Sequence, residues 1–131
     1  TDLERIGDHA SDIAELILRI KSEHAYHIVK HLPVMAASAN AMVHDAIEAF
    51  INQDLDSAME IIERDDEVDT LFNQVKDDVI HLLKSSPDQA DQGIDLLMVA
   101  KYLERIGDHA VNVCEWTQFS KTGALKNVRI M

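Results

Sequence analysis

The string LERIGDHA occurs twice in 131 residues, at positions 3–10 and again at 103–110. Eight consecutive identities in so short a chain mark an internal repeat. Each copy sets a glutamate four residues before an aspartate, Glu4/Asp8 and Glu104/Asp108. On a helix that spacing stacks both carboxylates on one face, about a turn apart. The match continues beyond the string, where Asp12, Ile13 and Glu15 correspond to Asn112, Val113 and Glu115. Any fold for this chain must therefore accommodate the same acidic helix twice, and a carboxylate face invites a cation.

The overall balance agrees. Acidic residues number 24 against 12 basic ones, a formal net charge of −12. That charge argues against nucleic-acid backbones and anionic lipid, and leaves metal ions or basic protein surfaces as partners. With 4 Gly and 2 Pro among abundant helix formers, the chain reads as all-α. The length suits one domain. A single cysteine, Cys114, makes an internal disulfide impossible and suits a reducing, cytoplasmic setting. No apolar run approaches the roughly 20 residues of a membrane span, and no signal peptide is visible.

Four helices are expected. The first covers 1–21, with Leu3, Ile6, Ala10, Ile13 and Ile17 as its apolar seam. Residues 22–32 read as a connection, because Pro33 sits badly inside a helix. The second helix runs to Asn52, with Met35, Ala39, Met42, Ala46 and Ala49 on one stripe. Asp54 caps a third that continues to Lys84. Ser86, Pro87 and Gln89 form the start signal of a fourth, which should end near Ser120 with Gly123 as its stop. The expected fold is an antiparallel three-helix bundle over 33–120, preceded by one extra helix and followed by a polar tail over 121–131.

The third helix carries Ile61, Asp65, Val68, Phe72, Val75, Val79 and Leu82 on its seam, so Asp65 falls where an apolar residue belongs, with Asp69 one turn on. The fourth has a clean seam of Leu96, Val99, Leu103, Ile106, Ala110 and Val113, flanked by Glu104 and Asp108, with Gly107 allowing close approach. Antiparallel packing of these two helices brings Asp65/Asp69 opposite Glu104/Asp108. Four converging carboxylates repel unless a hard cation or shared protons neutralise them. Solvated surface acids are the bland alternative, since a like-charge i,i+4 pair costs only about 0.2–0.5 kcal/mol.

The strings TDLERIGDHA and AKYLERIGDHAVNVCEW, with IIERDDEVD between them, resemble the PhoU family of phosphate-signalling regulators. The resemblance implies two three-helix repeats bearing metal motifs of the form E(D)xxxD. These fall on Glu4/Asp8 and Glu104/Asp108, on the last helix of each repeat, and on Asp65/Asp69 in the middle helix of the second. Family members resemble this chain only from the end of their first repeat onward. Residues 1–21 then represent the last helix of an incomplete first repeat, and the Glu4/Asp8 set lacks its middle-helix half. Asn112 against Asp12 removes a charged ligand from the second set. By the same resemblance the protein is a regulatory adaptor rather than an enzyme. It acts between the phosphate ABC transporter and a sensor histidine kinase, and holds the phosphate-starvation response off. The bound ions are divalent or trivalent, Fe, Zn, Mg or Mn.

Two other readings compete. A carboxylate-bridged di-metal oxidoreductase needs Glu-x-x-His motifs, but Gly7 and Gly107 stand three residues after Glu4 and Glu104. The third reading is a helical scaffold whose acids bind nothing. Of the remaining residues, His24, His27 and His31 read as solvated linker histidines, and His9 and His109 as surface groups. Met35, Met42, Met59 and Met98 read as core fillers, Cys114 as a small buried residue, and Arg5 and Arg105 as partners of nearby acids. Trp116 and Phe119 are expected to anchor the end of the bundle. The uncovered Ile6, Ile13, Ile17 and Ile20 seam of the first helix implies packing on the bundle or on another chain, hence a homo-oligomer.

Overall fold

A computed structural model describes the backbone of residues 1–19 and 23–130, and the side chains outside 17–24 and 122–131. Helix α1 spans Asp2–Arg19, α2 Glu23–Ile28, α3 Leu32–Asn52, α4 Leu55–Glu63, α5 Asp65–Ser85 and α6 Ala90–Ile130, with a 3₁₀ turn at Pro87–Gln89. The described residues contain no strand.

Three elements make the bundle: α3, the broken pair α4–α5, and α6. Each buries the stripe its periodicity dictates. Met35, Ala39, Met42, Ala46 and Ala49 of α3 are buried, as are Val68, Leu71, Val75, Val79 and Leu82 of α5. Leu96, Val99, Leu103, Ile106, Ala110 and Val113 of α6 complete the core. The chain runs up, down and up. Val79 and Leu82 of α5 lie beside Gly93, while Asp65 and Val68 lie beside Gly107. Tight local chemistry sets the corners. Gln53 ends α3 in the left-handed region (φ 51°), its N–H turned back to the carbonyls of Ala49 and Phe50. Asp54 then caps α4, accepting from the Ser57 N–H at 3.1 Å.

Several expectations need correction. Segment 22–32 is not a plain connection: α2 lies within it, and Ala25 and Val29 are fully buried. His31 is no solvated linker residue; its Nδ1 lies 2.7 Å from Asp78 Oδ2 on α5, and its backbone N–H donates to the same oxygen. His24 lies outside the described side chains, and His27 is exposed. The helix expected from Asp54 to Lys84 breaks at Arg64, whose guanidinium reaches back to Asp45 on α3 at 2.8 Å. Leu71 takes the buried place expected of Phe72, which is half-buried. Ser86 makes no side-chain cap bond. Helix α6 runs past Ser120 and through Gly123 to Ile130, where a polar tail was expected. One interior glycine costs a helix only about 1 kcal/mol, and the residues after it are mostly helix formers. Met59 and Met98 are exposed, unlike Met35 and Met42.

Helix α1 packs antiparallel on α6. Asp2 meets His109 and Asn112, while Asp12 and Leu16 lie by Met98 and Tyr102. Because the repeat offset is one hundred, the Asp2–His109 contact and the His9–Tyr102 contact are symmetry mates. His9 and His109 stack on each other at 5.5 Å between them. A local pseudo-twofold axis therefore passes between these two rings. They are half-buried, not the surface groups expected.

The two copies differ in what covers them. Leu103, Gly107, Ala110 and Cys114 are buried under α3, α4 and α5, while their counterparts Leu3, Gly7, Ala10 and Ala14 are exposed. A Cβ at Gly7 would meet nothing within 4 Å, whereas one at Gly107 would lie 3.6 Å from Val68 Cγ1 and 3.8 Å from Asp65 Oδ1. Gly7→Ala should therefore raise stability by about 0.5–1 kcal/mol through helix propensity alone. Gly107→Ala should gain less, because its methyl group further dries the Asp65 carboxylate. Urea midpoints of the two variants test this; an equal gain at both sites would contradict it.

Candidate metal centre

Asp65 opens α5 and Asp69 follows one turn later, both facing the middle of α6, where Glu104 and Asp108 are also a turn apart. The break at Arg64 places Asp65 in the first turn of its helix, although its seam position points it inward. Its Oδ1 is buried and has no hydrogen-bond partner. Gly107 leaves that oxygen its space.

The electrostatics agree with the geometry. Burial first, then the charges of Asp69, Asp108, Asp66 and Glu104, push the Asp65 carboxyl up from 3.8 to about 6. Asp69 is raised by burial and by Glu104 and Asp66; Asp108 is raised by burial and by Glu104 and Asp69. Acids from two helices thus feel one another, as the sequence predicts.

One residue in the site was missed. Lys101 Nζ donates to Glu104 Oε1 at 2.7 Å and also lies 5.5 Å from the centre of the Phe72 ring. It tempers the upward shifts of Asp69 and Asp108. Its i,i+3 spacing to Glu104 is visible in the sequence, but many surface lysines share such spacing, so the signal is weak. Lys101 is a resident monovalent cation beside four acids, which leaves an excess of negative charge.

The residues present fit a hard cation: the donors are all oxygen, one is buried and orphaned, and the mutual repulsion awaits an opposing charge. The jaws are open, however. Among the described residues, the three-residue set with ligand atoms within 4.8 Å of one another is His44, Asp45 and Glu48, not three of these four acids. Asp69 and Asp108 are both exposed, so packing does not fix their side-chain rotamers.

Glu4 and Asp8 are not brought to this set. Both are exposed on α1, and Glu4 Oε2 lies 3.6 Å from the amino terminus of Thr1. Open space beside Gly7 stands where α5 stands beside Gly107. Other singled-out residues fall elsewhere. Arg105 lies over the Tyr102 ring at 5.7 Å. Cys114 is buried and its thiol is pushed up to about 11 by burial, then by Glu115. Trp116 and Phe119 pack edge to face on each other and remain exposed at 56% and 66%, not buried at the end of the bundle as expected.

A bundle built on two copies of one acidic helix, meeting about a pseudo-twofold axis, is an all-α repeat protein with clustered carboxylates on one face. The PhoU domain model matches residues 32–117. The chain is 41% identical over 123 residues to the phosphate-specific transport system accessory protein PhoU homolog of Clostridium acetobutylicum, covering 94% of this chain and 56% of that one. It is 34% identical to PhoU homolog 1 of Thermotoga maritima, covering 98% and 55%. The crystal structure of the phosphate transport system regulatory protein PhoU from Streptococcus pneumoniae superposes with a TM-score of 0.79 at 30% identity, over 93% of this chain and 57% of that one. The chain belongs to the PhoU family. It spans little more than half the length of these relatives.

Proposed function

We propose that this chain is part of a metal-binding regulatory adaptor in phosphate-uptake signalling. It acts between the phosphate ABC transporter and a sensor histidine kinase, as a negative regulator of the phosphate-starvation response. The observation that carries the metal in this reading is the buried, partnerless Asp65 Oδ1 among four acids from two helices. Asp65, Asp69, Glu104 and Asp108 would hold the ion, with Lys101 giving up Glu104 when it arrives. The names of the relatives, accessory and regulatory proteins of phosphate transport, support the regulatory role.

The ion supplies charge neutralisation that locks α5 to α6, and no turnover chemistry is assigned to it. Glu4 and Asp8 contribute to a second, equivalent set where another helix covers the face beside Gly7. That cover comes from elsewhere in a longer chain or from a second copy, so self-association belongs to the reading. The setting in this reading is cytoplasmic; no helix among the described residues is long and apolar enough to cross a membrane.

The test places Asp65→Asn with Asp108→Asn in the full gene product and measures starvation-gene expression in phosphate-replete cells. Derepression together with metal loss is the expected result. Full repression by a protein that has lost its metal would separate the ion from the function. Failure of the wild type to bind either the transporter ATPase or the kinase would remove the adaptor role.

A further inference from the structure

Away from the four acids, α3 carries a second set of ligands of different chemistry. His44 and Glu48 are one helical turn apart, and Asp45 is beside them. His44 Nδ1 lies 3.3 Å from Asp45 Oδ1 and 3.8 Å from Glu48 Oε2. Zinc held at about 2.0–2.2 Å by nitrogen and oxygen in a tetrahedron sets its ligands about 3.4 Å apart. His44 Nδ1 is near that spacing from both carboxylates, and the three ligand atoms all lie within 4.8 Å of one another.

Two further observations point the same way. Arg64 Nη1 holds Asp45 Oδ2 at 2.8 Å, which keeps that carboxylate ionised and aims its other oxygen at His44. This is the orienting outer partner that metal-binding carboxylates use. The set also borders a cleft of about 330 Å³ between α3 and α4, whose lining includes Asp54 and Glu60 as well as Asp45 and Glu48. Four acids outweigh the one guanidinium there.

We propose that His44, Asp45 and Glu48 form a second, separate cation site that selects zinc-like ions. The imidazole decides the selectivity. Borderline ions such as Zn²⁺ favour nitrogen, while Mg²⁺ and Ca²⁺ favour the all-oxygen set at Asp65. The neutral ring binds the ion through the Nδ1 lone pair and keeps its single proton on Nε2. The site is independent of the phosphate-signalling reading.

Equilibrium dialysis of the full chain against Zn²⁺ in excess Mg²⁺ tests it, since magnesium fills oxygen sites without competing for imidazole. His44→Gln should lose one zinc equivalent relative to the wild type, whereas Asp65→Asn should keep it. The His44 ring resonances should move on adding Zn²⁺ and stay in place with Mg²⁺. The His44 side chain is 73% exposed, so the substitution leaves the core intact; an unchanged circular-dichroism spectrum verifies that. Equal zinc in the wild type and His44→Gln, or ring resonances that ignore zinc, would overturn the proposal.

Discussion

Saturating metal should raise the melting temperature of the wild type by roughly 10–20 °C, and Asp65→Asn with Asp108→Asn should abolish the rise. The size follows from linkage. An ion at a thousand times its dissociation constant stabilises the folded state by about 4 kcal/mol, because the unfolded chain cannot assemble the four acids. For a domain of this length each kcal/mol shifts the midpoint by about 3–5 °C. Lys101 reduces the gain slightly, since its 2.7 Å contact with Glu104 must break. In chelator near neutral pH the double variant should be more stable than the wild type by about 1–3 kcal/mol, because it relieves repulsion. Melting curves with chelator and with added Mg, Mn, Fe or Zn measure both effects. Wild-type curves that superimpose under all conditions would refute metal binding at this site.

Without metal, the same carboxylates should make the protein less stable as pH rises from 4 to 7. Asp65 is held at about 6 in the folded state against an ordinary 3.8. Below 3.8 it is protonated in both states and adds no difference. Between 3.8 and 6 the unfolded chain ionises first, so stability falls with rising pH. Above 6 the penalty reaches up to about 3 kcal/mol for this group. The raised Asp69 and Asp108 act in the same direction.

Other groups oppose this trend. Burial, then the charges of His109 and Arg105, hold the His9 ring below 6.5, so acidification through its range costs stability. The His109 hydrogen bond holds Asp2 below 3.8, the Arg64 hydrogen bond does so for Asp45, and the Ser57 backbone bond does so for Asp54. Their contribution is lost only at still lower pH. The difference between wild type and Asp65→Asn isolates the effect. In chelator the variant should be about 1–3 kcal/mol more stable at pH 7.5, and the two should converge near pH 4. A difference that does not change with pH would show that Asp65 ionises normally.

Most of the bundle is legible from periodicity. The stripes of α3 and α6 are buried as their three-and-four spacing dictates, because a helix's inward face depends only on local geometry. The Asp54 cap is likewise a contact within one turn. Asp65 could be singled out because a charged residue on an apolar stripe violates a local rule, and such violations mark functional sites. The repeat told that one acidic helix occurs twice, and the family resemblance implied that the first copy lacks the helix that would face it.

Only the tertiary structure decided how far each copy is covered. Copy two is buried under three helices and copy one is half bare, since cover depends on neighbours remote in sequence. Likewise, no spacing rule foretold that His9 and His109 would stack, because the crossing point of α1 and α6 is a long-range quantity. The break at Arg64 coincides with a side chain reaching 19 residues back to Asp45. Trp116 and Phe119 flank the buried Thr117 rather than share its seam position, so their aromatic character says nothing of their exposure. Periodicity determines which face of each helix turns inward; only the packing of helices distant in the chain determines how far that face, and any acid on it, is removed from water.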